Sequence, residues 1–158
     1  MKPIIKTFPT TKFIGMNSRF SYSDYRIGEL WEKFMPRRYE IQNVIGADLF
    51  NIQINPENFD FNPQTEFVKW AAIPVSNFDF VPEGMQTLFV EEGLYAVFNH
   101  VGDASKARET FAYIFGVWLP NSEYELDNRP HFEILGEKYK SNSPDSEEEI
   151  RIPIKKTI

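Results

Sequence analysis

Residues 86–118 read QTLFVEEGLYAVFNHVGDASKARETFAYIFGVW and contain a strand, a turn and a helix in sequence order. Residues 86–98 predict a strand that the turn Glu91-Glu92-Gly93 interrupts. Asp103 is suited to cap the N-terminus of a following helix, because its carboxylate can accept hydrogen bonds from free backbone N–H groups. Four apolar residues then recur at the spacing of one helical face: Ala107, Phe111, Ile114 and Trp118. Pro120 is expected to end this helix.

The first half of the chain predicts the same order of elements. A strand is expected over residues 11–22, followed by a helix that Pro36 ends. The helix carries one apolar stripe: Ile27, Leu30, Trp31 and Phe34. Two further strands are expected over residues 48–54 and 66–75, separated by turn-forming residues.

The second half closes with two strands, over residues 130–135 and 149–154, and a polar, mobile connection over residues 141–148. A strand-helix-strand-strand unit therefore occurs twice, in approximate repeats 1–80 and 85–158 of one domain spanning 1–158. We predict an α+β fold in which an antiparallel sheet carries two helices on one side. The two units should pair edge to edge and leave a central groove between them.

Composition narrows the classes of function. The 158 residues are 42% hydrophobic and carry a net charge of −6, which argues against direct nucleic-acid binding because phosphate groups require clustered positive charge. Aromatic residues make up 16% of the chain, enough both to fill a core and to line a concave site. There is no cysteine, so disulfides and thiolate chemistry are excluded.

Other features of the sequence predict no metal, no cofactor and no membrane association. His100 and His131 are far apart and lack a helical i,i+4 partner, so a metal site is not expected. The N-terminus lacks the apolar core of a signal peptide, and no apolar run reaches membrane-spanning length. We therefore expect a cytoplasmic protein.

Four motifs identify a family when they are taken together and in order. They are GLYAVFNHVG at residues 93–102, YIFGVWLP at 113–120, PHFEI at 130–134 and EIRIPI at 149–154. This series resembles the GyrI-like and AraC-type effector-binding domains. The first half is similar more loosely, through residues 30–34 and 67–73.

The resemblance implies a tandem strand-helix-strand-strand fold (an SHS2-like duplication) with a ligand groove between the repeats. Members of the family include sensing domains of multidrug-responsive activators, a gyrase-inhibitor protein and hydrolases of cyclopropane-bearing toxins. In fused regulators the module follows a DNA-binding domain. Because the resemblance here begins at residue 1, we expect a stand-alone module that does not bind DNA directly.

The resemblance also indicates site residues. Strand alternation puts Glu133 and Leu135 on one face and pairs Glu149 with Arg151 on one face, so that two carboxylates can converge on the groove. Glu133 is similar to the family's acid at the pocket floor and Glu149 to a second acid near it. Aromatic wall residues are expected at three positions: Trp118, Tyr95 and Tyr113. Spacing alone leaves open that Glu133 pairs with a basic residue at the sheet surface.

Two positions depart from the family pattern. Lys69 and Arg151 stand where family members often carry an aromatic ring, so the groove is expected to hold positive charge of its own. An Arg151–Glu149 pair would reduce the preference for cations and favour neutral or acidic ligands.

Three functions are compatible with these observations. The first is a protein that binds an aromatic or amphipathic small molecule, including cationic ones, for transcription regulation or for sequestration of a drug or toxin. The second is a hydrolase of strained compounds in which Glu133 or Glu149 acts as general base. The third is an inhibitor that contacts a protein partner through an acidic surface at residues 147–149. A homodimer is also left open.

Overall fold

Strands dominate the residues that the computed structural model describes, which are 2–136, 138–140 and 143–158. The strands in this part of the chain are β1 Ile4–Phe8, β2 Thr11–Phe20, β3 Leu49–Ile54, β4 Phe67–Val75, β5 Gln86–Val90, β6 Gly93–Val101, β7 Tyr124–Leu126, β8 His131–Leu135 and β9 Glu147–Lys156. The α-helices are α1 Ile27–Phe34, α2 Ala104–Tyr113 and α3 Leu119–Asn121.

The strand pairings show an internal duplication. All are antiparallel, in the order β1-β6-β9-β8-β3-β4-β2-β5, and β7 adds to β9. β1 and β5 begin at Ile4 and Gln86, and β2 and β6 begin at Thr11 and Gly93, so both pairs are 82 residues apart. Each half contributes two strands, a helix and two more strands, and the second half adds the short elements α3 and β7. The predicted α+β fold, an antiparallel sheet with two helices on one side, is confirmed.

The sheet closes on itself through an exchange of first strands. β1 of the first half pairs with β6 of the second, and β5 of the second half pairs with β2 of the first. The two ladders share one register, because Phe8 pairs with Gly93 and Thr11, three residues later, pairs with Val90, three residues earlier. Hydrogen-bonded neighbours can thus be followed from β2 through β4, β3, β8 and β9 to β6. β6 in turn pairs with β1, which directly precedes β2 in the chain.

Three hydrophobic clusters hold this arrangement together. An aromatic cluster fills the concave face of the sheet, where Phe132 packs against Phe8 and Phe13 with ring centroids 4.8 and 6.0 Å apart. On the opposite face, one cluster lies under α1 and includes Phe34, and another lies under α2 and includes Ile114. The two helices cover the outer strands, so the central strands β3 and β8 remain open between them.

One proline prediction is confirmed and one needs correction. α1 ends at Phe34, before Pro36, and a 3₁₀ turn, Met35–Glu40, follows it. The second helix does not end before Pro120, because a π-turn, Ile114–Trp118, leads from α2 into α3 and places Pro120 in the first turn of α3. A proline is tolerated there because its missing N–H has no partner in a first turn. The expected cap of α2 is confirmed, since the Asp103 carboxylate accepts a hydrogen bond from the Ser105 backbone N–H (3.0 Å).

Several boundaries differ from the predictions in smaller ways. β1 and β7 were not expected. The polar connection was predicted over residues 141–148, of which 141 and 142 lie outside the described residues, and 147–148 belong to β9. Within the described residues, no helix has both the length and the apolar character needed to cross a bilayer.

Candidate functional site

A cavity of about 1060 Å³ lies between α1 and α2, above the open centre of the sheet. Its floor consists of side chains that point from β3, β4, β8 and β9 toward the helices. α1 contributes Ile27 and Trp31 to one wall, and the second helix contributes Phe111 and Phe115 to the other. A volume of this size is at the upper end for small-molecule sites in proteins.

The pairing register places five polar residues at the centre and one edge of the floor. Asn51 on β3 pairs with Glu133 on β8, and Gln53 pairs with both Lys69 on β4 and His131 on β8. Side chains on one face of a strand recur every second residue, so these two rows are about 7 Å apart along the strands. Glu133 and Lys69 are therefore in adjacent rows of the same floor.

Asp103, which caps α2, lines the cavity, and two glutamates of the floor also face it: Glu133 and Glu148. Glu133 points toward the helices because Phe132 and Ile134 on either side of it belong to the aromatic cluster on the concave face. Glu148 has the same direction as Ile150 and Ile152, which pack under α2. Among the described residues, neither carboxylate forms an ion pair.

Glu148 has the clearest electrostatic perturbation among these acids. Burial, followed by the negative charge of Glu133, raises the pKa of Glu148 to about 8, and Lys69 opposes this shift. Removing a carboxylate from water and placing it near another carboxylate both favour the protonated form. Glu148 therefore retains its proton near neutral pH.

Lys69 is the positive group of the floor. Its residue is only 2% exposed, and its Nζ atom lies 5.8 Å from the centre of the Tyr25 ring. Burial lowers the pKa of Lys69, while the charges of Glu133 and Glu148 act in the opposite direction. An ammonium group in this position is costly to keep charged unless a partner compensates it.

A set of uncharged, hydrogen-bonded side chains lies next to Lys69. Gln53 Nε2 donates to the Tyr22 hydroxyl oxygen (3.0 Å) and to Asn55 Oδ1 (2.8 Å), and Asn55 Nδ2 lies 3.5 Å from His131 Nε2. Burial, with the positive charges of Lys69 and Arg129, lowers the pKa of His131 to about 3. His131 is therefore an uncharged imidazole at physiological pH.

Aromatic rings form much of the remaining wall. Tyr22 and Tyr25 lie with ring centroids 6.3 Å apart at the α1 side, and burial raises the pKa of both hydroxyls. Phe61, from the loop between β3 and β4, reaches across the groove to Phe115, with ring centroids 5.1 Å apart. The cavity thus combines aromatic walls with a floor that contains both signs of charge.

Asn51 is the one residue of the floor with a buried polar atom that lacks a partner in the described structure. The residue is 9% exposed, and its Oδ1 atom accepts no hydrogen bond from the described residues. A buried acceptor without a donor destabilises the protein. This arrangement is typical of a site that a ligand or water completes.

The structure brings together three of the residues predicted for the site. Glu133, Leu135 and Lys69 all line the cavity. Tyr113 and Trp118 instead pack under the second helix, where the Trp118 ring meets Phe98 with centroids 5.3 Å apart.

The other three predicted residues point to the concave face of the sheet. Tyr95 belongs to the aromatic cluster and donates its hydroxyl hydrogen to the Pro130 carbonyl oxygen (2.8 Å). Arg151 lies over the Phe8 ring (5.2 Å) and donates to Glu149 (3.1 Å). The expected convergence of Glu149 with Glu133 is therefore corrected, because the second carboxylate at the cavity is that of Glu148.

The face of β9 that packs against α2 explains this correction. β9 runs beneath α2, so its apolar residues, which include Ile150 and Ile152, must face the helix to be buried. Glu148 shares their face and Glu149 does not. The signal was present in the sequence, since the isoleucines at every second position mark the face that a helix covers.

Several other cavity residues were not predicted from sequence. They lie on loops, on β3, on β8 or in the π-turn after α2: Tyr22, Tyr25, Asn51, Gln53, Asn55, Phe61, Phe115 and His131. Their proximity depends on pairings between distant strands, which no local pattern reveals. Within the described part of the chain, no group of three or more His, Asp or Glu side chains is arranged to hold a metal ion.

Comparison with known proteins gives the same architecture and one close sequence relative. The transcriptional regulator BrlR of Pseudomonas aeruginosa is 31% identical over 148 residues, which cover 92% of this chain and 53% of BrlR. The chain thus spans about half the length of this curated relative. The structure of SAV2435 bound to tetraphenylphosphonium is similar with a TM-score of 0.74 at 14% identity, covering 98% of this chain and 94% of that one.

A hydrolase from Listeria innocua has the same fold, with a TM-score of 0.63 at 16% identity, covering 98% of this chain and 92% of that one. At such identities the likeness establishes the fold alone. The model of the GyrI-like small molecule binding domain matches residues 1–155. Because this model covers nearly the whole chain, the protein belongs to the GyrI-like family of small-molecule-binding domains.

Proposed function

We propose that this protein captures an aromatic cation in the cavity between α1 and α2. One observation carries the proposal: the acidic side chains of Glu133 and Glu148 face an aromatic cavity, and neither forms an ion pair with another described residue. The neighbouring carboxylates Glu147 and Glu149 are instead paired, with Lys138 and Arg151.

The physical chemistry favours a ligand with positive charge. A carboxylate among rings is poorly solvated, and a bound cation restores the interaction that water would have supplied. The rings of Tyr22 and Tyr25 add cation–π contacts, each contributing about 0.5–2 kcal/mol. Arg151 does not oppose this binding directly, since its guanidinium lies on the other face of the sheet.

The relatives support the same proposal. SAV2435 was solved with tetraphenylphosphonium, an aromatic cation, and shares the fold. BrlR is a transcriptional regulator, and this chain matches about half of it. We therefore include a role in transcription regulation or in sequestration of a toxic compound within the proposal.

Calorimetric titration with tetraphenylphosphonium tests the proposal. Saturable binding is expected in the wild-type protein, and Glu133→Gln should weaken it about tenfold or more, because a charge-assisted contact is lost. Glu148→Gln should weaken binding less at pH 7 than at pH 9, because Glu148 is ionised only at the higher pH.

Glu149→Gln is the matched control, since Glu149 is adjacent in sequence but lies on the opposite face. Its affinity for the cation should remain that of the wild type. Absence of binding by the folded wild-type protein, or an equal loss in Glu149→Gln and Glu133→Gln, would contradict the proposal.

A second candidate function is hydrolysis of a strained substrate. The observation that favours it is a pair of cavity acids, one of which, Glu148, keeps its proton near neutral pH. Such an acid can protonate a leaving group while Glu133 activates water. Turnover of a cyclopropane-bearing compound by the wild type, lost in Glu133→Gln with binding retained, would establish this activity, and binding without turnover would exclude it for that compound.

The structure separates the acidic run on which the protein-inhibitor hypothesis depends. Glu147 faces Lys138 and Asn99, Glu148 faces the cavity, and Glu149 faces Arg151. These three side chains do not form one continuous acidic surface. No observation in the structure therefore favours this third function.

A further inference from the structure

The centre of the cavity floor is an axis of approximate internal symmetry. Asn51 and Glu133 pair with each other across β3 and β8. On the outer sides, Asn51 pairs with Ala71 of β4, and Glu133 pairs with Ile150 of β9. The two halves of the floor are therefore equivalent in backbone arrangement, position by position.

This equivalence relates Lys69 to Glu148. Lys69 precedes Ala71 by two residues on β4, and Glu148 precedes Ile150 by two residues on β9. Each is therefore one step from the centre, in opposite directions, on the face that lines the cavity. The backbone of the cavity floor is nearly symmetric, but one end carries the ammonium group of Lys69 and the other carries the carboxyl group of Glu148.

The ammonium end lacks a compensating anion. Lys69 is almost fully buried, and no described residue forms an ion pair with it. Its row holds Gln53 and His131, and the imidazole of His131 is uncharged at neutral pH. The Lys69 ammonium therefore faces the same cavity as Glu133 and Glu148 without forming an ion pair with either residue.

A simple cation satisfies only the acidic part of this floor. It would approach Glu133 and leave the Lys69 ammonium without a partner, and its own charge would repel that ammonium. A ligand with one positive and one negative group would satisfy both Glu133 and Lys69. Aromatic atoms between these groups would contact the ring-lined walls.

We infer that the natural ligand is amphoteric, with a cationic group that contacts Glu133 and an anionic group, such as a carboxylate, that contacts Lys69. The inference rests on the proposed function and names its ligand class. Lys69 is then the residue that selects amphoteric aromatic molecules over plain aromatic cations.

A matched pair of dyes tests this inference. Rhodamine B carries a cationic xanthylium ring and a free carboxylate, whereas rhodamine B ethyl ester has the same ring and no anion. Fluorescence anisotropy titrations at pH 7 should show that the wild type binds rhodamine B about tenfold more tightly than the ester. In Lys69→Met the preference should reverse, with weaker binding of rhodamine B and tighter binding of the ester.

The two affinities are expected to change in opposite directions. A purely structural role of Lys69 would instead weaken the binding of both dyes. Lys69→Gln repeats the loss of charge with a polar side chain, and circular dichroism confirms that each variant is folded. Lys6→Met makes the same change at an exposed position of β1 and should leave both affinities unchanged.

The experiment distinguishes failure of this inference from failure of the proposed function. Binding of both dyes with the same preference in wild type, Lys69→Met and Lys69→Gln would overturn the inference and leave the proposed function intact. If folded wild-type protein binds neither dye nor tetraphenylphosphonium, the proposed function is contradicted and the inference falls with it.

Discussion

Glu148 shows how one position in the cavity couples the charge of the site to the stability of the fold. Its pKa in the folded protein is about 8, against an ordinary value of 4.5. The folded state therefore holds this proton more tightly than the unfolded state does. Stability should decrease as the pH rises from about 4.5 to 8, because ionisation is favourable in the unfolded chain and unfavourable in the cavity.

Glu148→Gln should remove this decrease. Below about pH 4.5 the variant and the wild type should be similarly stable, and at pH 9 the variant should be more stable by about 1–3 kcal/mol, less than the full shift because the side chain is partly solvated. Urea unfolding between pH 4.5 and pH 9 measures the difference. Glu125→Gln, at an exposed position of β7, is the control. Parallel curves for the wild type and Glu148→Gln would contradict the assignment.

At this scale, sequence predicted Glu133 but misplaced the second acid. Glu133 lies between two apolar residues of a central strand that no helix covers, so its direction toward the open groove follows from alternation alone. Glu149 was chosen by applying the same rule to β9. There the apolar residues face a helix instead of the concave side, and the rule gives the opposite answer.

The element scale is where close backbone contacts limit substitution. Gly15 on β2 lies directly against β4, and a Cβ atom there would be 2.1 Å from the Ala71 carbonyl oxygen and 2.7 Å from the Ala72 Cα atom. Backbone atoms on a central strand cannot move away without breaking the ladder. Gly15→Ala should therefore lower the free energy of unfolding by about 2–4 kcal/mol.

Gly28→Ala on α1 is a control in which the free energy of unfolding should rise instead of fall. Nothing lies within 4 Å of a Cβ atom at Gly28, and alanine is favoured over glycine in a helix by about 1 kcal/mol. Urea unfolding of both variants should show one destabilised and one stabilised protein. A Gly15→Ala variant as stable as the wild type would mean that β2 and β4 are further apart than described.

The loop between β3 and β4 is a second element with a defined role. Its Phe61 has a left-handed backbone, with φ of 61°, and its ring reaches Phe115 on the far side of the groove. Such a conformation is unfavourable for a large side chain and persists only where contacts maintain it. The ring therefore covers part of the cavity.

Phe61→Gly should open this side of the cavity and relieve the backbone. We expect both the association and the dissociation rate of tetraphenylphosphonium to rise, on the order of tenfold, because the ring no longer obstructs passage. Stopped-flow fluorescence competition measures both rates. Phe89→Gly, at an exposed position of β5, is the control, and unchanged exchange in Phe61→Gly would refute the role of this ring.

At the scale of the whole molecule, the repeated order of predicted elements indicated the two repeats. The closure of the sheet was not predictable. β1 is only five residues long, and its partner β6 begins 85 residues later in the chain, so no local pattern connects them. The cavity was expected as a groove, but its mixed charge depends on which residues of distant strands become neighbours.

The exchanged first strands make each half dependent on the other. A chain divided in the exposed loop after Phe80 should give two fragments, 1–80 and 81–158, that are largely unfolded alone and form a one-to-one folded complex when mixed. Each fragment lacks the strand that covers its own outer edge, so unpaired backbone remains. Circular dichroism and size-exclusion chromatography detect the complex. Two independently folded fragments would contradict the exchange.

The same exchange has an evolutionary consequence. If the two repeats were separate, identical chains, they would form a homodimer that swaps its N-terminal arms, with a single pocket on its two-fold axis. Such an ancestor must place identical residues at both ends of that pocket. Gene fusion removes this constraint, so that the fused chain can place a lysine at position 69 opposite a glutamate at position 148. Polarity in the pocket is thus something that a single gene with two diverged halves can evolve and a symmetric dimer cannot.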